Sequence, residues 1–144
     1  MKILFVCTGN TCRSCMAEAI FNNISSSKDL TSSSCGIAAL ENSKASLNTV
    51  KTLIKNIGVD ITGRSAVQLT PGHLEDSDYI LAMTYGIKNI LIMNFPEFEQ
   101  KIFTFNEFAE TFEEIRDPYG MDIEAYYNTY LQLEEGINKM LKKL

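Results

Sequence analysis

The sequence predicts a single α/β domain with a mainly four-stranded parallel sheet flanked by helices on both faces. Three observations carry this. Strand-like and helix-like segments alternate along the chain, as βαβ units do. The first strand contains the unbroken apolar run Ile3-Leu4-Phe5-Val6, the pattern of a parallel strand buried on both faces. The chain has 144 residues, 45% of them hydrophobic, enough for one good core. No internal repeat, low-complexity tract or linker interrupts it, so residues 1–144 read as one domain.

Lys2 to Val6 is the first strand, and the helix after Ser14 is expected to run to about Ile24, where Ser25-Ser26-Ser27-Lys28-Asp29 breaks it. Thr31 to Gly36 is a second strand, weakly marked because of its serines. Ser46 to Ile57 is an amphipathic helix closed by Gly58, and Asp60 to Gly72 reads as loop and turn. Tyr79-Ile80-Leu81-Ala82-Met83 is the best strand after the first. A helix follows over Gly86 to Met93, with a break at Asn94-Phe95-Pro96. Ile102-Phe103-Thr104 is a fourth, short strand. From Ile123 onward, Ile123, Tyr127, Tyr130, Ile137, Leu141 and Leu144 recur at helical spacing, which predicts a long helix with one buried stripe.

The formal charge of −5 argues against nucleic acid as a partner, because phosphate backbones are bound through basic surface. No apolar run approaches the roughly 18 residues that span a bilayer, and Met1 to Val6 is too short for a signal-peptide core. A cytoplasmic protein without membrane contact is expected. Cys7, Cys12 and Cys15 crowd together, Cys35 stands apart, and nothing indicates export, so free thiols are the better reading. Nothing in the sequence calls for a metal or other cofactor.

In such a sheet the site lies at the carboxyl ends of the strands, and Cys7 lies at one. The segment Cys7-Thr8-Gly9-Asn10-Thr11-Cys12-Arg13, with Ser14 next, joins a buried strand to a helix. There the backbone N–H groups of Thr8, Thr11, Cys12 and their neighbours lack helical partners and favour an anion. The same partial positive charge favours the thiolate of Cys7. Arg13 adds a planar fork of donors matched to phosphate oxygens. Positive charge opposes the helix dipole in a first turn, so this arginine points to a ligand rather than to helix stability. Gly9 and Asn10 tolerate left-handed backbone angles and would shape the cradle. Ser14 can cap the helix, or donate its hydroxyl to the Cys7 thiolate. A phosphate cradle with a nucleophile at its floor is a phosphatase site: Cys7 would form a phosphocysteine that water hydrolyses. Asp117-Pro118 offers a carboxylate to protonate the leaving atom, although Asp-Pro is also a common turn.

A cysteine, five residues, an arginine and a serine, this early in a short chain, resemble the low-molecular-weight protein-tyrosine-phosphatase family. Ser34-Cys35-Gly36, Ser77 to Thr84 and Asp117-Pro118-Tyr119-Gly120 resemble its later landmarks, in order. The resemblance implies a metal-independent phosphatase acting on phosphorylated proteins, with Cys7 as nucleophile, Arg13 on the phosphoryl oxygens and Asp117 as general acid. Inorganic phosphate or a similar anion would bind in the loop. Many tyrosine phosphatases of the family have a bulky aliphatic residue where Thr11 stands. Members resembling protein-arginine phosphatases have threonine, and the whole run is most similar to that bacterial subgroup. Thr11 replaces apolar support for a phenol by a polar partner near a guanidinium, unless it is a neutral loop choice. Tyr119-Gly120, in place of the paired tyrosines of eukaryotic tyrosine-specific members, opens the rim and points the same way. Phosphoarginine is therefore favoured over phosphotyrosine.

The resemblance also implies a reversible Cys7–Cys12 disulfide, since an accessible thiolate is what peroxide attacks first; Cys12 otherwise reads as a loop filler. Cys15 stands where the family usually has proline, and is either a third thiol competing for the oxidised pair or a tolerated first-turn residue. Cys35 replaces an alanine and reads as buried and inert. Arg64 stands where family members often carry a histidine supporting the loop asparagine. His73 reads as a surface histidine at a helix start, without a role.

Two rivals come from other classes. The spacing Cys7-x4-Cys12-x2-Cys15, with a distant Cys35, matches a plant-type iron–sulfur pattern, and an acidic chain suits an electron carrier. Against it, a strand feeds directly into a helix beginning between the second and third cysteines, and Arg13 and Asp117 would have no task. A non-catalytic phosphate-binding module is the other rival, opposed by the presence of Cys7, Arg13 and Asp117 together.

Overall fold

Ile3, Leu4, Phe5 and Val6 are completely buried because their strand is flanked by neighbours on both edges and covered on both faces. The structure, a computed structural model, describes residues 1–144. Its elements are β1 (Lys2–Cys7), α1 (Arg13–Ile24), β2 (Thr31–Gly36), α2 (Leu47–Ile57), α3 (Pro71–Asp76), β3 (Tyr79–Ala82), α4 (Tyr85–Asn94), a 3-10 helix (Pro96–Lys101), β4 (Ile102–Thr104), α5 (Phe105–Ala109) and α6 (Ile123–Leu141). The four strands form one sheet in the order β2-β1-β3-β4, and every pair is parallel.

From β1 the chain crosses to β2 in one direction and then doubles back past β1 to β3 and β4. Parallel crossovers are right-handed, so crossovers in opposite directions place their helices on opposite faces. The reversal happens at β1, and such a switch point leaves a crevice at the strand's carboxyl end. In that register Cys7 lies beside Gly36 and Val6 beside Ala82. The core under α1 and α6 is aromatic: Phe5 meets Phe21 at 5.9 Å and Phe105 at 6.1 Å between ring centroids. Gly136 lets α6 approach, since a Cβ there would lie 2.3 Å from the Phe105 ring. Ser46 caps α2 by accepting from the Thr49 amide, and Gly58 ends that helix at φ 67°.

The expected strands and long helices are present, with four corrections. α1 starts at Arg13 with Cys12 as its N-cap residue, so Ser14 lies inside the helix and does not cap it. Pro71 and Gly72 open α3 rather than ending a loop, and the preceding stretch is held by the isolated bridges Gly36–Gln68 and Lys44–Ser65. α5 was not expected; it is too short for a period, but Thr104 and Glu107 form its capping box. In α6 the period is right and Tyr130 and Ile137 are buried as expected, but the rest of the expected stripe is displaced. Ile123, Tyr127 and Leu144 are exposed, and the buried stripe is Tyr126, Thr129, Tyr130, Leu133, Gly136, Ile137 and Met140. Thr129 and Gly136 face the core without being apolar, which hides the true seam from a hydrophobicity count. No helix is long and apolar enough to cross a membrane.

Candidate active site

The hydrogen bonding of β1 continues beyond its end: Ile37 N donates to Cys7 O at 3.0 Å and Ala38 N to Thr8 O at 2.9 Å. The chain then turns at Asn10, whose φ of 58° lies in the left-handed region that asparagine tolerates better than most residues. Gly9 has no such angle, so the expectation that it shares the left-handed turn is corrected. Gly36 matters more: a Cβ on it would lie 2.5 Å from the Thr8 carbonyl oxygen, so only glycine lets β2 come this close to the loop. At the loop's exit α1 has no side-chain cap and no acidic residue in its first turn. The amide nitrogens of Thr8, Gly9, Thr11 and Cys12 donate to no acceptor in the protein, which leaves a set of free donors at a positive helix end.

This loop lines a cavity of about 610 Å³ running from Cys7 through Arg13, with Leu40, Lys44, Asp117 and Tyr119 at its rim. The Cys7 Sγ accepts from the Asn10 amide at 3.2 Å and lies 2.8 Å from the Ser14 hydroxyl. Arg13 is 5% exposed; its Nη1 donates to the Ile115 carbonyl at 3.3 Å, and its Nη2 lies 3.5 Å from Asp117 Oδ2. Asp117 is half exposed at the mouth, and its Oδ1 accepts from the Tyr119 amide. The fold thus brings together Cys7, Thr8, Gly9, Asn10, Thr11, Cys12, Arg13, Asp117 and Tyr119 around one cavity, with Ser14 against the sulfur from behind.

Cys12 lines the same cavity, its Sγ 3.5 Å from both the Ser46 and Tyr126 hydroxyls. Burial, reinforced by the Cys12 hydrogen bond, pushes the Tyr126 phenol up to about 12. Cys15 is elsewhere: it is buried, and its Sγ points back to the Cys12 carbonyl at 3.4 Å. Burial pushes its thiol far up, and pushes that of Cys35 up to about 12. No group of three or more cysteine, histidine or carboxylate side chains is placed to hold a metal ion, so the four thiols do not converge as cluster ligands. His73 closes a capping box with Thr70 at the start of α3.

Sequence reasoning missed Tyr126, Ser46, Ser34 and Glu18 as neighbours of the loop. Ser46 is visible as a helix cap, but its reach to Cys12 is a tertiary fact. Arg64 takes the place behind Asn10: its Nη1 donates to Asn10 Oδ1 at 2.9 Å and its Nη2 to Ser34 Oγ at 2.9 Å.

A sulfur at the floor, unpaired amides around it, a buried guanidinium and a half-exposed carboxylate at the mouth form a set suited to covalent phosphoryl transfer. The "Protein-arginine-phosphatase" of Geobacillus stearothermophilus is 40% identical to this chain over 147 residues, covering 99% of the chain and 95% of the relative. The crystal structure of a low molecular weight protein tyrosine phosphatase from T. tengcongensis superposes with a TM-score of 0.95 at 43% identity, covering 100% of this chain and 99% of that one. A YwlE arginine phosphatase mutant with a phosphorylated active-site serine superposes with a TM-score of 0.91 at 36% identity, covering 100% of this chain and 95% of that one. The family model for low molecular weight phosphotyrosine protein phosphatases matches residues 2–144, and the chain belongs to that family.

Proposed function

We propose that this protein is a metal-independent protein phosphatase of the cytoplasm that hydrolyses phosphoarginine in proteins through a phosphocysteine. The observation that carries this reading is the Cys7 sulfur, 2.8 Å from the Ser14 hydroxyl and 3.2 Å from the Asn10 amide, at the floor of a loop whose other amides are unpaired. In the first step the Cys7 sulfur attacks phosphorus, the S–P bond forms and the P–N bond breaks. Asp117 gives its proton to the departing guanidine nitrogen. In the second step water attacks phosphorus, Asp117 takes its proton, the S–P bond breaks and inorganic phosphate leaves. Arg13 and the free amides of Thr8, Gly9, Thr11 and Cys12 hold the equatorial oxygens in both steps. The phosphorylated active-site serine of the YwlE mutant supports a phosphoenzyme. The name of the Geobacillus relative and the loop threonine, Thr11, support arginine as the substrate side chain.

Under peroxide, Cys12 is the partner for oxidised Cys7 in this reading, because it lines the same cavity while Cys15 is buried away from it. A second reading, phosphotyrosine hydrolysis, is favoured by the exposed Leu40 and Tyr119 at the rim, which offer apolar surface to a phenol ring.

The deciding experiment is kcat/KM on matched peptides carrying phosphoarginine or phosphotyrosine, with reductant and a chelator present. Preference for phosphoarginine, reduced by Thr11→Ile, is the expected result; preference for phosphotyrosine moves the protein to the second reading. Cys7→Ser is expected to abolish turnover while inorganic phosphate still binds, and surviving turnover would exclude the covalent mechanism.

A further inference from the structure

The backbone of Asp117 has no hydrogen-bond partner of its own: neither its N–H nor its C=O meets a group of the protein, and Pro118 after it has no N–H to give. Its place is therefore set by the residues before it. Ile115 is held from the site itself, its N–H on the Met83 carbonyl at 3.1 Å and its C=O accepting from Arg13 Nη1 at 3.3 Å. Arg116 is held only by α6. Its N–H donates to Gln132 Oε1 at 3.4 Å, its C=O accepts from the Thr129 hydroxyl at 3.2 Å, and neither has another partner in the protein. Gln132 Nε2 also donates to the Glu114 carbonyl at 3.3 Å, so one side-chain amide serves the donor and the acceptor that a neighbouring strand would serve. Thr129 is not explained by packing. It is 2% exposed in the buried seam of α6, where a β-branched residue with a hydroxyl is a poor helix former. Its hydroxyl has two acceptors in reach, the Ala125 carbonyl at 3.1 Å and the Arg116 carbonyl at 3.2 Å. The Ala125 carbonyl already receives the helix's own N–H from Thr129, whereas the Arg116 carbonyl has no other donor in the protein.

We propose that Thr129, assisted by Gln132, is a positioning residue that fixes the Arg116–Asp117 peptide and so aims the Asp117 carboxyl at the leaving atom. The two side chains stand at i and i+3 on α6, the spacing that turns both toward one neighbouring segment. Between them they hold the N–H and the C=O of the residue before the acid, while the Asp117 side chain itself stays half exposed at the mouth. Backbone fixed and side chain free is the division that a carboxyl moving between two proton partners needs, since misplacement by about 1 Å can cost roughly 10²-fold in rate. Thr129 acts on the reaction only through Asp117, and the inference rests on Asp117 being the general acid.

The test measures kcat/KM in the full chain on phenyl phosphate, whose leaving oxygen needs a proton, and on para-nitrophenyl phosphate, whose leaving group does not. Thr129→Val keeps the branched shape and removes the hydroxyl; Thr129→Ser keeps the hydroxyl and removes a methyl. Thr129→Val is expected to lower the rate on phenyl phosphate about fivefold and on para-nitrophenyl phosphate less than about twofold. Thr129→Ser is expected to stay within about twofold of wild type on both. In an Asp117→Asn background the valine change is expected to alter the phenyl phosphate rate less than about twofold, because the group it aims is gone. A role in packing alone would make serine the worse variant and lower both substrates alike, and either result would overturn the proposal. If Thr129→Val fails to fold, Gln132→Leu, at a half-buried position, takes its place with the same expectations. Equal losses on the two substrates in Asp117→Asn would remove the acid role and the proposal with it, whereas unequal losses there beside an unchanged Thr129→Val would sink the proposal alone. If the wild-type protein turns over neither aryl phosphate, amide order parameters decide: that of Asp117 is expected to fall from about 0.85 toward about 0.6 in Thr129→Val, and an unchanged value overturns the role of Thr129.

Discussion

Asp117 is tied to the cavity by two weak restraints, the 3.5 Å approach to Arg13 and the Tyr119 amide on its other oxygen, and otherwise stands in solvent. A group so placed can swing between a leaving atom and an attacking water, which is what a single carboxylate serving both steps needs. Asp117→Asn is expected to lower kcat/KM, which covers only the first step, on a phosphoarginine peptide by about 10²–10³-fold. The loss is expected to be much smaller for para-nitrophenyl phosphate, whose leaving group departs without a proton. Steady-state kinetics on the two substrates check this, and equal losses would remove Asp117 from the role of acid. At this scale the sequence was most legible where chemistry is local. Cys7, Arg13 and Ser14 fall on one turn, so their spacing already encodes their geometry. Ser34 and Tyr126 reach the surroundings of the loop from β2 and α6, and no local spacing records that.

At the scale of elements, two glycines perform the same packing task with different consequences. A Cβ on Gly36 would meet loop backbone, the Thr8 carbonyl, at 2.5 Å, whereas one on Gly136 would meet the Phe105 ring at 2.3 Å. Backbone under the phosphate cannot yield without moving the amides that hold it, and misplacement by about 1 Å can cost roughly 10²-fold in rate. Gly36→Ala is therefore expected to lower kcat/KM by at least about tenfold. Gly136→Ala is expected to cost about 1–3 kcal/mol of stability by overpacking and to leave the kinetics unchanged. Thermal melts beside kcat/KM separate the two, and a Gly36→Ala enzyme of normal activity would show that the strand-to-loop approach is not needed. The same packing explains what the elements hid. β1 was legible from its run of apolar residues, but the seam of α6 passes through Thr129 and Gly136, where closeness to neighbouring elements rather than hydrophobicity decides which face is buried. α5 escaped because five residues carry no period, although its Thr104–Glu107 box is a local signal.

Across the whole molecule, buried titratable groups set an alkaline limit to stability. Burial raises Cys15 and Cys35 above the ordinary value of 9.0, and Tyr126 and Tyr130 above 10.0. At working pH the two buried thiols stay protonated, which makes them poor targets for oxidation. As pH rises past about 9 these groups begin to ionise in the unfolded chain while the folded chain still keeps their protons. The unfolded state then binds fewer protons, and stability must fall with pH. Each group contributes a slope of up to ~1.4 kcal/mol per pH unit between its unfolded and folded values. Against a net stability on the order of 5–15 kcal/mol, a slope of this sign from several groups is expected to lower the melting midpoint measurably above pH 9. Thermal melts from pH 8 to 11 are expected to show a midpoint that is level up to about pH 9 and then declines. The decline should be shallower in Cys35→Ala, which removes one ionising group from a site where alanine fits the same strand. A level midpoint to pH 11 would show that these groups ionise in the folded protein as readily as in the unfolded chain.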